Sequence, residues 1–188
     1  KTSLSNVGVS GTSNTPPFDH SYGVWADNTH VFLFNSSTNS VDVYYASTMA
    51  FKSSIASYTV DSVPYTFTDV ISGCSDGTNL YICDDGTLIK FSISPIVAVP
   101  VGIRGAGYIY AEGICTDGTY LYISNTDGNR IVKSNCSDLT TVVVAADTDL
   151  DAPHGITTDG TFLYVVDTGN QRIKKYDCAT MTLDSLNG

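Results

Sequence analysis

The chain has 188 residues, of which 42% are hydrophobic and 15% charged, and its net charge is −10. This length fits one domain with a sizeable core, and the absence of any Lys/Arg cluster argues against DNA or RNA as a partner. No apolar run is long enough to cross a membrane, so membrane insertion is not expected, and the low charge, abundant Ser and Thr and five cysteines favour an extracellular or cell-surface location.

The first element in chain order is a short predicted strand at residues 2–8, and an extended linker with Pro16 and Pro17 follows it up to residue 20. The strand sequence, TSLSNVG, resembles TLDSLNG at residues 182–188, where the last strand of the chain is predicted. Because the repeats that follow can supply their own last strands, at residues 54–60, 93–101 and 140–146 and, in the last copy, 181–186, this N-terminal strand is surplus. It either closes a ring of sheets within the chain or adds to the edge of another copy.

From residue 21 onward one sequence unit recurs four times, at about residues 21–62, 70–103, 112–146 and 154–188. An Asp-Gly step anchors three copies, at Asp76, Asp117 and Asp159, and Asp27 followed by Asn replaces it in the first copy. Each copy alternates short apolar runs with Gly, Asp, Asn and Ser, and shows no helical periodicity. Four short strands in each unit of about 40–45 residues predict an all-β fold, a β-propeller of four four-stranded blades.

The repeated unit also resembles the NHL repeat. The segment GITTDGTFLYVVDTGNQRIKKYD, at residues 155–177, carries this resemblance through Asp167 and the run NQRI at residues 170–173. Asn125 and the run NRI at residues 129–131 form a second match, and the first two copies match more weakly. The resemblance implies an NHL-type propeller, a domain that commonly has about six blades, whereas this chain has material for four.

Two sets of residues are predicted to lie on one face. The first strand of each copy runs inward to the Asp-Gly turn and the second strand returns, so the start of the first strand and the end of the second lie at the same end. The starting set comprises Tyr22, Glu112 and His154, and the ending set comprises Asn35, Asp84, Asn125 and Asp167. We expect these seven residues to form a binding face. The ending set either braces loops or offers oxygen atoms to a ligand, although no Asp-x-Asp-x-Asp calcium loop is present.

Within this face Glu112 and His154 are expected to approach each other near the central channel. A histidine beside a carboxylate can bind a ligand or act as a general base, although such a pair is more often a hydrogen-bonded part of a loop.

The cysteines allow two interpretations. Cys74 and Cys115 occupy one repeat position, and Cys136 and Cys178 occupy another, so neighbouring copies can form disulfides if their geometry permits. The alternative is that these residues are small buried hydrophobic side chains. No Cys-x-x-Cys pair supports a zinc or redox site. Two sequons, at Asn35 and Asn135, permit N-glycosylation.

We expect a secreted, non-catalytic module without a cofactor, which binds a protein partner or assembles with copies of itself into a fibre or surface layer. The NHL resemblance implies one alternative, a metal-dependent lyase or hydrolase of the peptidyl-hydroxyglycine lyase type, with zinc held by several channel histidines. Only His20, His30 and His154 are available here, at three unlike repeat positions, and no nucleophile or phosphate-binding motif is present. Glycan binding by exposed Tyr and Asn is a third hypothesis.

Overall fold

The computed structural model describes residues 21–93, 96–108 and 110–184, with the backbone alone at Tyr22 and in residues 96–108. All regular structure in these ranges is β-strand, so the all-β prediction is confirmed. Among the described residues there is no helix of the length and apolarity that a membrane span requires. The strand predicted at residues 2–8 and the linker after it lie outside the described residues.

Four antiparallel sheets follow one another along the chain, and we number them in that order. Sheet 1 contains β1 (Ser21–Ala26), β2 (His30–Asn35), β3 (Ser40–Tyr45) and β4 (Phe51–Ile55), and a separate hairpin of β5 (Ser57–Val60) and β6 (Val63–Thr66) follows it. Sheet 2 contains β7 (Val70–Ser75), β8 (Asn79–Asp84), β9 (Gly86–Ile93) and β10 (Ile96–Tyr108). Sheet 3 contains β11 (Ala111–Thr116), β12 (Tyr120–Asn125), β13 (Arg130–Asn135) and β14 (Thr141–Val144). Sheet 4 contains β15 (Pro153–Thr158), β16 (Phe162–Asp167) and β17 (Arg172–Asp177), and a single bridge between Tyr176 and Leu183 lies beyond β17.

The turn between the first two strands of each sheet is held by an aspartate. In sheet 2, Asp76 Oδ1 accepts the backbone N–H groups of Thr78 (2.8 Å) and Asn79 (2.7 Å), and its Oδ2 accepts the Tyr81 hydroxyl (2.6 Å). Gly77 between them has a φ of +88°, which glycine adopts without the strain that a Cβ would cause. The same arrangement recurs around Asp117 and Asp159, so one local sequence sets the same turn three times.

Successive sheets pack face to face, and their first strands lie side by side in the order β1, β7, β11, β15. Three layers of buried side chains fill the spaces between sheets 1 and 2, sheets 2 and 3, and sheets 3 and 4. Because sheets 2 and 3 are covered on both faces, β8 and β12 are buried almost throughout rather than at alternate residues. The described strands do not close into a ring.

The β5–β6 hairpin differs from the prediction. Residues 54–60 were expected to form the last strand of the first unit, but residues 57–60 pair with β6 instead. The Tyr58 ring stacks on Tyr65, with ring centroids 5.6 Å apart, and packs edge-on against Phe91 of sheet 2. The hairpin therefore extends the layer between sheets 1 and 2, and the aromatic contacts determine its position.

Candidate functional site

The first strands of all four sheets lie side by side, and a wide depression of about 590 Å³ lies at the end where these strands begin. We call this depression the wide mouth. Each sheet contributes to its lining: Ser36 comes from sheet 1, Asp69 and Ile71 from sheet 2, Tyr110 and Glu112 from sheet 3, and His154 from sheet 4. A narrower depression of about 310 Å³ lies toward the Asp-Gly turns of the same strands. The wide mouth is therefore a surface that no single sheet could form.

Glu112 and His154 meet in the wide mouth. His154 Nδ1 lies 2.6 Å from Glu112 Oε2, and the two side chains are 42% and 34% exposed for His154 and Glu112 respectively. The contact arises because β11 and β15 lie side by side and both residues are the second of their strand. The expected approach of these two residues is thus observed. At this exposure the contact contributes little stability, on the order of 0–1 kcal/mol, and both side chains can be reached from the solvent.

Asp69 places a second carboxylate at the wide mouth. Its Oδ1 accepts the Ser36 hydroxyl (2.8 Å), and its backbone N–H donates to Asp84 Oδ1 (2.8 Å). Tyr110 lies at the same repeat position, immediately before the first strand of its sheet, and is 47% exposed. The sequence analysis did not select either residue. Their place directly before β7 and β11 was the signal that could have found them.

The four residues that end the second strands are buried, in contrast to the expectation that they form part of an exposed binding face. Asn35, Asp84, Asn125 and Asp167 are each at most 4% exposed, and their oxygen atoms accept hydrogen bonds from nearby loops. Asn125 Oδ1 accepts the N–H of Gly128 (2.9 Å), and Asp167 Oδ1 accepts that of Asp151 (2.7 Å). They hold the loops beneath the wide mouth, whereas Glu112 and His154 reach the solvent. The Tyr22 side chain lies outside the described residues.

The two aspartates of this set have opposite pKa shifts. Burial raises the pKa of Asp84, and although the N–H groups of Thr68 and Asp69 oppose the shift, Asp85 and Asp69 add to it. Burial would also raise the pKa of Asp167, but the Asp151 N–H and the Arg172 guanidinium outweigh it and hold the pKa below its ordinary value. Arg172 Nε donates to Asp167 Oδ2 at 2.7 Å. Asp84 thus lies near two further acids and Asp167 beside a cation, and the two pKa shifts differ in sign in that direction.

All five cysteines, which lie within the described residues, are free, so the disulfides that were one of the two interpretations of Cys74, Cys115, Cys136 and Cys178 are absent. The physical reason is the repeat itself. Cys74 faces the layer between sheets 2 and 3, whereas Cys115, at the same repeat position, packs against the next layer. Likewise Cys136 and Cys178 lie in successive layers, and each thiol contacts a threonine of its own sheet at 3.3 Å. Equivalent residues point in the same direction and so do not face one another.

The buried thiols of Cys74 and Cys83 are poor nucleophiles at neutral pH. Burial is the largest cause of a pKa increase in both Cys74 and Cys83, and it raises the pKa of Cys83 to about 12. Because the thiolate is the nucleophile and the metal ligand, these residues behave as buried hydrophobic groups at neutral pH. Among the residues that the structure describes, no three His, Cys, Asp or Glu side chains converge on a possible metal position.

The two sequons differ in accessibility. Asn35 is fully buried, with Nδ2 donating to Asp42 Oδ2 at 3.4 Å, so the folded chain does not present this amide for glycosylation. Asn135 is partly exposed, and its Nδ2 donates to Thr140 Oγ1 at 2.8 Å in the turn between β13 and β14. The glycosylation that the sequon at Asn35 permits therefore has no structural support.

The fold of the chain is similar to that of solved structures. The chain is similar to Kuenenia stuttgartiensis hydrazine synthase, with a TM-score of 0.70 and 17% sequence identity over 93% of this chain and 51% of that one. It is also similar to the computationally designed Ika4 protein, with a TM-score of 0.66 and 6% identity over 92% of this chain and 98% of that one. No family model and no curated protein matches the sequence. At these identities the likeness shows the fold alone, and the chain spans about half the length of the hydrazine synthase chain.

Proposed function

We propose that the chain is a β-propeller of four NHL-like blades, which acts as a secreted, non-catalytic module that binds a protein partner at the wide mouth. Sheets 1 to 4 are the blades of this proposal. Its support is the repeated Asp turn, the side-by-side first strands and the likeness to hydrazine synthase, a β-propeller-containing protein. The Asp167–Arg172 contact lies between residues of the segment that resembles the NHL repeat.

The observation that carries the binding proposal is the convergence of all four sheets on the wide mouth. Its polar lining groups include the carboxylates of Glu112 and Asp69, and Tyr110 lines the same depression. Two carboxylates and an aromatic ring suit a lysine or arginine side chain, through charge-assisted hydrogen bonds and a cation–π contact. The net charge of −10 attracts such a partner at longer range. We therefore propose a partner that presents a basic segment.

The catalytic alternative has less support. His30 lies toward the Asp-Gly turns, where its ring contacts Lys52 Nζ (2.7 Å) and the Thr29 hydroxyl (3.0 Å). His30 in sheet 1 and His154 in sheet 4 therefore lie at opposite ends of their sheets, and His20 lies outside the described residues. A zinc site of the peptidyl-hydroxyglycine lyase type would need these histidines together. For glycan binding, the wide mouth offers one aromatic ring among its described lining residues, that of Tyr110.

The proposed extracellular location now rests on fewer observations. The free cysteines give no support from disulfides, whereas the low charge and the many Ser and Thr residues remain. Immunodetection in the culture medium of the source cells, with a cytosolic marker as control, tests this location. Retention of the protein with the cytosolic marker would contradict it.

Fluorescence anisotropy with a labelled Arg-Gly-Arg-Gly peptide tests the binding site. We expect binding at low salt that weakens as salt is added, and about fivefold weaker binding for Glu112→Gln, because one of the two carboxylates becomes neutral. Asp61→Asn, at the exposed tip of the β5–β6 hairpin, removes the same charge away from the mouth and controls for net charge. Equal binding of a Glu-Gly-Glu-Gly peptide, or equal losses in the two variants, would contradict the proposal.

A further inference from the structure

The three interfaces between successive sheets are built from the same positions of the repeat. The side of each sheet that faces the next one along the chain carries one residue from the second strand and its cross-strand partner in the third. These pairs are Phe34 with Val41 in sheet 1, Cys83 with Leu88 in sheet 2, Ser124 with Ile131 in sheet 3, and Val166 with Ile173 in sheet 4. In sheets 1 to 3 every one of these residues is at most 3% exposed.

Sheet 4 carries the same pair without a cover. Val166 is 43% exposed and Ile173 is 68% exposed, although Ile131 at the equivalent position of sheet 3 is fully buried. We call the surface formed by Tyr164, Val166, Ile173 and Lys175 the sheet 4 flank. Within the described residues no further sheet follows it. An apolar pair at positions that are otherwise interfacial indicates a surface that receives another sheet.

The polar groups of this flank repeat an interface as well. Tyr81 and Lys90 of sheet 2 both donate to the Cys136 carbonyl oxygen of sheet 3, at 3.3 and 2.9 Å. One sheet further along, Tyr122 and Lys133 donate to the Cys178 carbonyl oxygen, at 3.5 and 2.7 Å. Sheet 4 has the same cross-strand pair in Tyr164 and Lys175.

In sheet 4 these two donors bond within their own sheet instead. Lys175 Nζ lies 2.9 Å from Asp184, and the Tyr164 hydroxyl donates to Asp159 at 3.0 Å. Tyr81 and Tyr122 make the equivalent turn contact, at 2.6 and 2.8 Å, and share the same hydroxyl proton with the carbonyl oxygen of the next sheet at the longer distances of 3.3 and 3.5 Å. The turn contact is therefore compatible with a weaker, shared bond to a following sheet. The flank thus retains a donor pair of the type that holds a carbonyl oxygen of the following sheet.

The opposite end of the series offers the matching surface. Val24 of β1 is 67% exposed, whereas Ile114, at the same repeat position, is 8% exposed because sheet 2 covers it. Ala46 occupies the repeat position of Cys136 and Cys178, whose carbonyl oxygens are the acceptors in the chain's own interfaces. The Ala46 N–H donates to the Thr29 carbonyl oxygen at 2.9 Å. The Cys136 N–H makes the corresponding hydrogen bond in sheet 3, to the Thr119 carbonyl oxygen.

We propose that the sheet 4 flank binds sheet 1 of a second copy of this chain, by the packing that sheets 1 to 4 use among themselves. Ile173 then packs near Val24 of the second copy, and Lys175 and Tyr164 donate to its Ala46 carbonyl oxygen. The contact is heterologous, since two different surfaces meet, so it forms a closed pair when both ends engage and an open series otherwise. This inference concerns a different surface from the wide mouth and does not depend on peptide binding there.

Sedimentation analysis of the 188-residue chain over an about hundredfold range of concentration tests the proposal. We expect the wild-type chain to form species of two or more copies. Ile173→Asp and Val24→Asp should each weaken association by about tenfold or more, because each introduces a charge into an apolar contact. Both residues are exposed in the single chain, so neither change should impair folding, which circular dichroism checks. Val142→Asp, at a 48% exposed position of β14, is the matched control and should associate like the wild type.

A mixing experiment identifies which surfaces pair. The Ile173→Asp chain keeps its sheet 1 surface and the Val24→Asp chain keeps its sheet 4 flank, so their mixture should form a two-chain species that neither forms alone. A wild type that stays a single copy throughout would overturn the proposal, as would full association of either variant alone. Loss of association in Leu4→Asp but not in Ile173→Asp would overturn it in favour of exchange of the N-terminal strand. The Ile173→Asp chain should still bind the Arg-Gly-Arg-Gly peptide, because the wide mouth is a different surface. This measurement separates a failure of self-association from a failure of peptide binding.

Discussion

At the scale of single residues, the position that ends the second strand of each sheet is occupied by either an amide or an acid. Asn35 and Asn125 end the second strands of sheets 1 and 3 as neutral amides, and Asp84 and Asp167 end those of sheets 2 and 4 as acids. All four are buried and accept loop hydrogen bonds. Asp167 has Arg172 as a cationic partner, whereas Asp84 lies near the further acids Asp69 and Asp85. The same position therefore holds a favourable charge in one sheet and a costly one in another.

This contrast predicts opposite effects for one substitution. Asp167→Asn should lower the free energy of unfolding by about 2 kcal/mol, because the buried hydrogen bonds from Arg172 and Asp151 to a charged acceptor are weakened. Asp84→Asn should change it by less than about 0.5 kcal/mol or raise it, because an amide oxygen can still accept the loop N–H groups while the cost of a buried charge is removed. Urea denaturation of both variants at pH 7 measures the difference. Equal destabilisation of the two would show that the surroundings of the carboxylate do not matter.

At the scale of strands and turns, the sequence indicated most of the structure where a local signal was present. The Asp-Gly step and the apolar runs predicted the first three strands of each unit, and strand direction predicted the meeting of Glu112 and His154. The β5–β6 hairpin was missed because its position depends on ring contacts of Tyr58 with Tyr65 and with Phe91. Phe91 lies far from Tyr58 along the chain, so no local sequence pattern indicates this contact. For the cysteines the sequence left two interpretations open, because repeat position gives proximity between sheets but does not give side-chain direction.

The close approach of neighbouring first strands is a further property of the elements. At Gly113 an added Cβ would collide with the His154 carbonyl oxygen and lie 2.7 Å from Ser124 Oγ. At Gly155, the same position of sheet 4, an added Cβ would meet Val166 alone in the part of the chain that is described, at 3.3 Å. Sheet 3 thus needs glycine for its contact with sheet 4, whereas no following sheet among the described residues crowds this position of sheet 4.

Two alanine variants test this difference. Gly113→Ala should lower the free energy of unfolding by about 1–3 kcal/mol, because β15 must move away from β11 to make room. Gly155→Ala should be neutral or stabilise by up to about 1 kcal/mol, since alanine loses less chain entropy in a strand. Thermal unfolding in dilute solution, where copies do not associate, is the measurement. A large loss of stability in Gly155→Ala would contradict an open flank at sheet 4.

At the scale of the whole molecule, a chain of net charge −10 depends on its carboxylates for its turns. The pKa of Asp159 is lowered chiefly by the backbone N–H groups of Phe162 and Thr161. For Asp76, burial acts in the opposite direction, but the Tyr81 hydroxyl and the turn N–H groups outweigh it and lower the pKa. Acid has two opposing effects, since it relieves repulsion between like charges and also removes the acceptors that hold the turns.

We expect the loss of the turn acceptors to dominate. A carboxylate whose pKa is lower in the folded chain stabilises the fold fully above its unfolded pKa of about 3.9, and this contribution is lost as the pH falls through the folded pKa. Asp84, whose pKa is raised, acts in the opposite direction, but it is one residue against Asp76, Asp159 and Asp167. The urea midpoint should therefore be roughly constant from about pH 7 to 5 and fall steadily below about pH 4. A midpoint that rises on acidification would mean that charge repulsion, and not the aspartate-held turn, limits the stability of this fold.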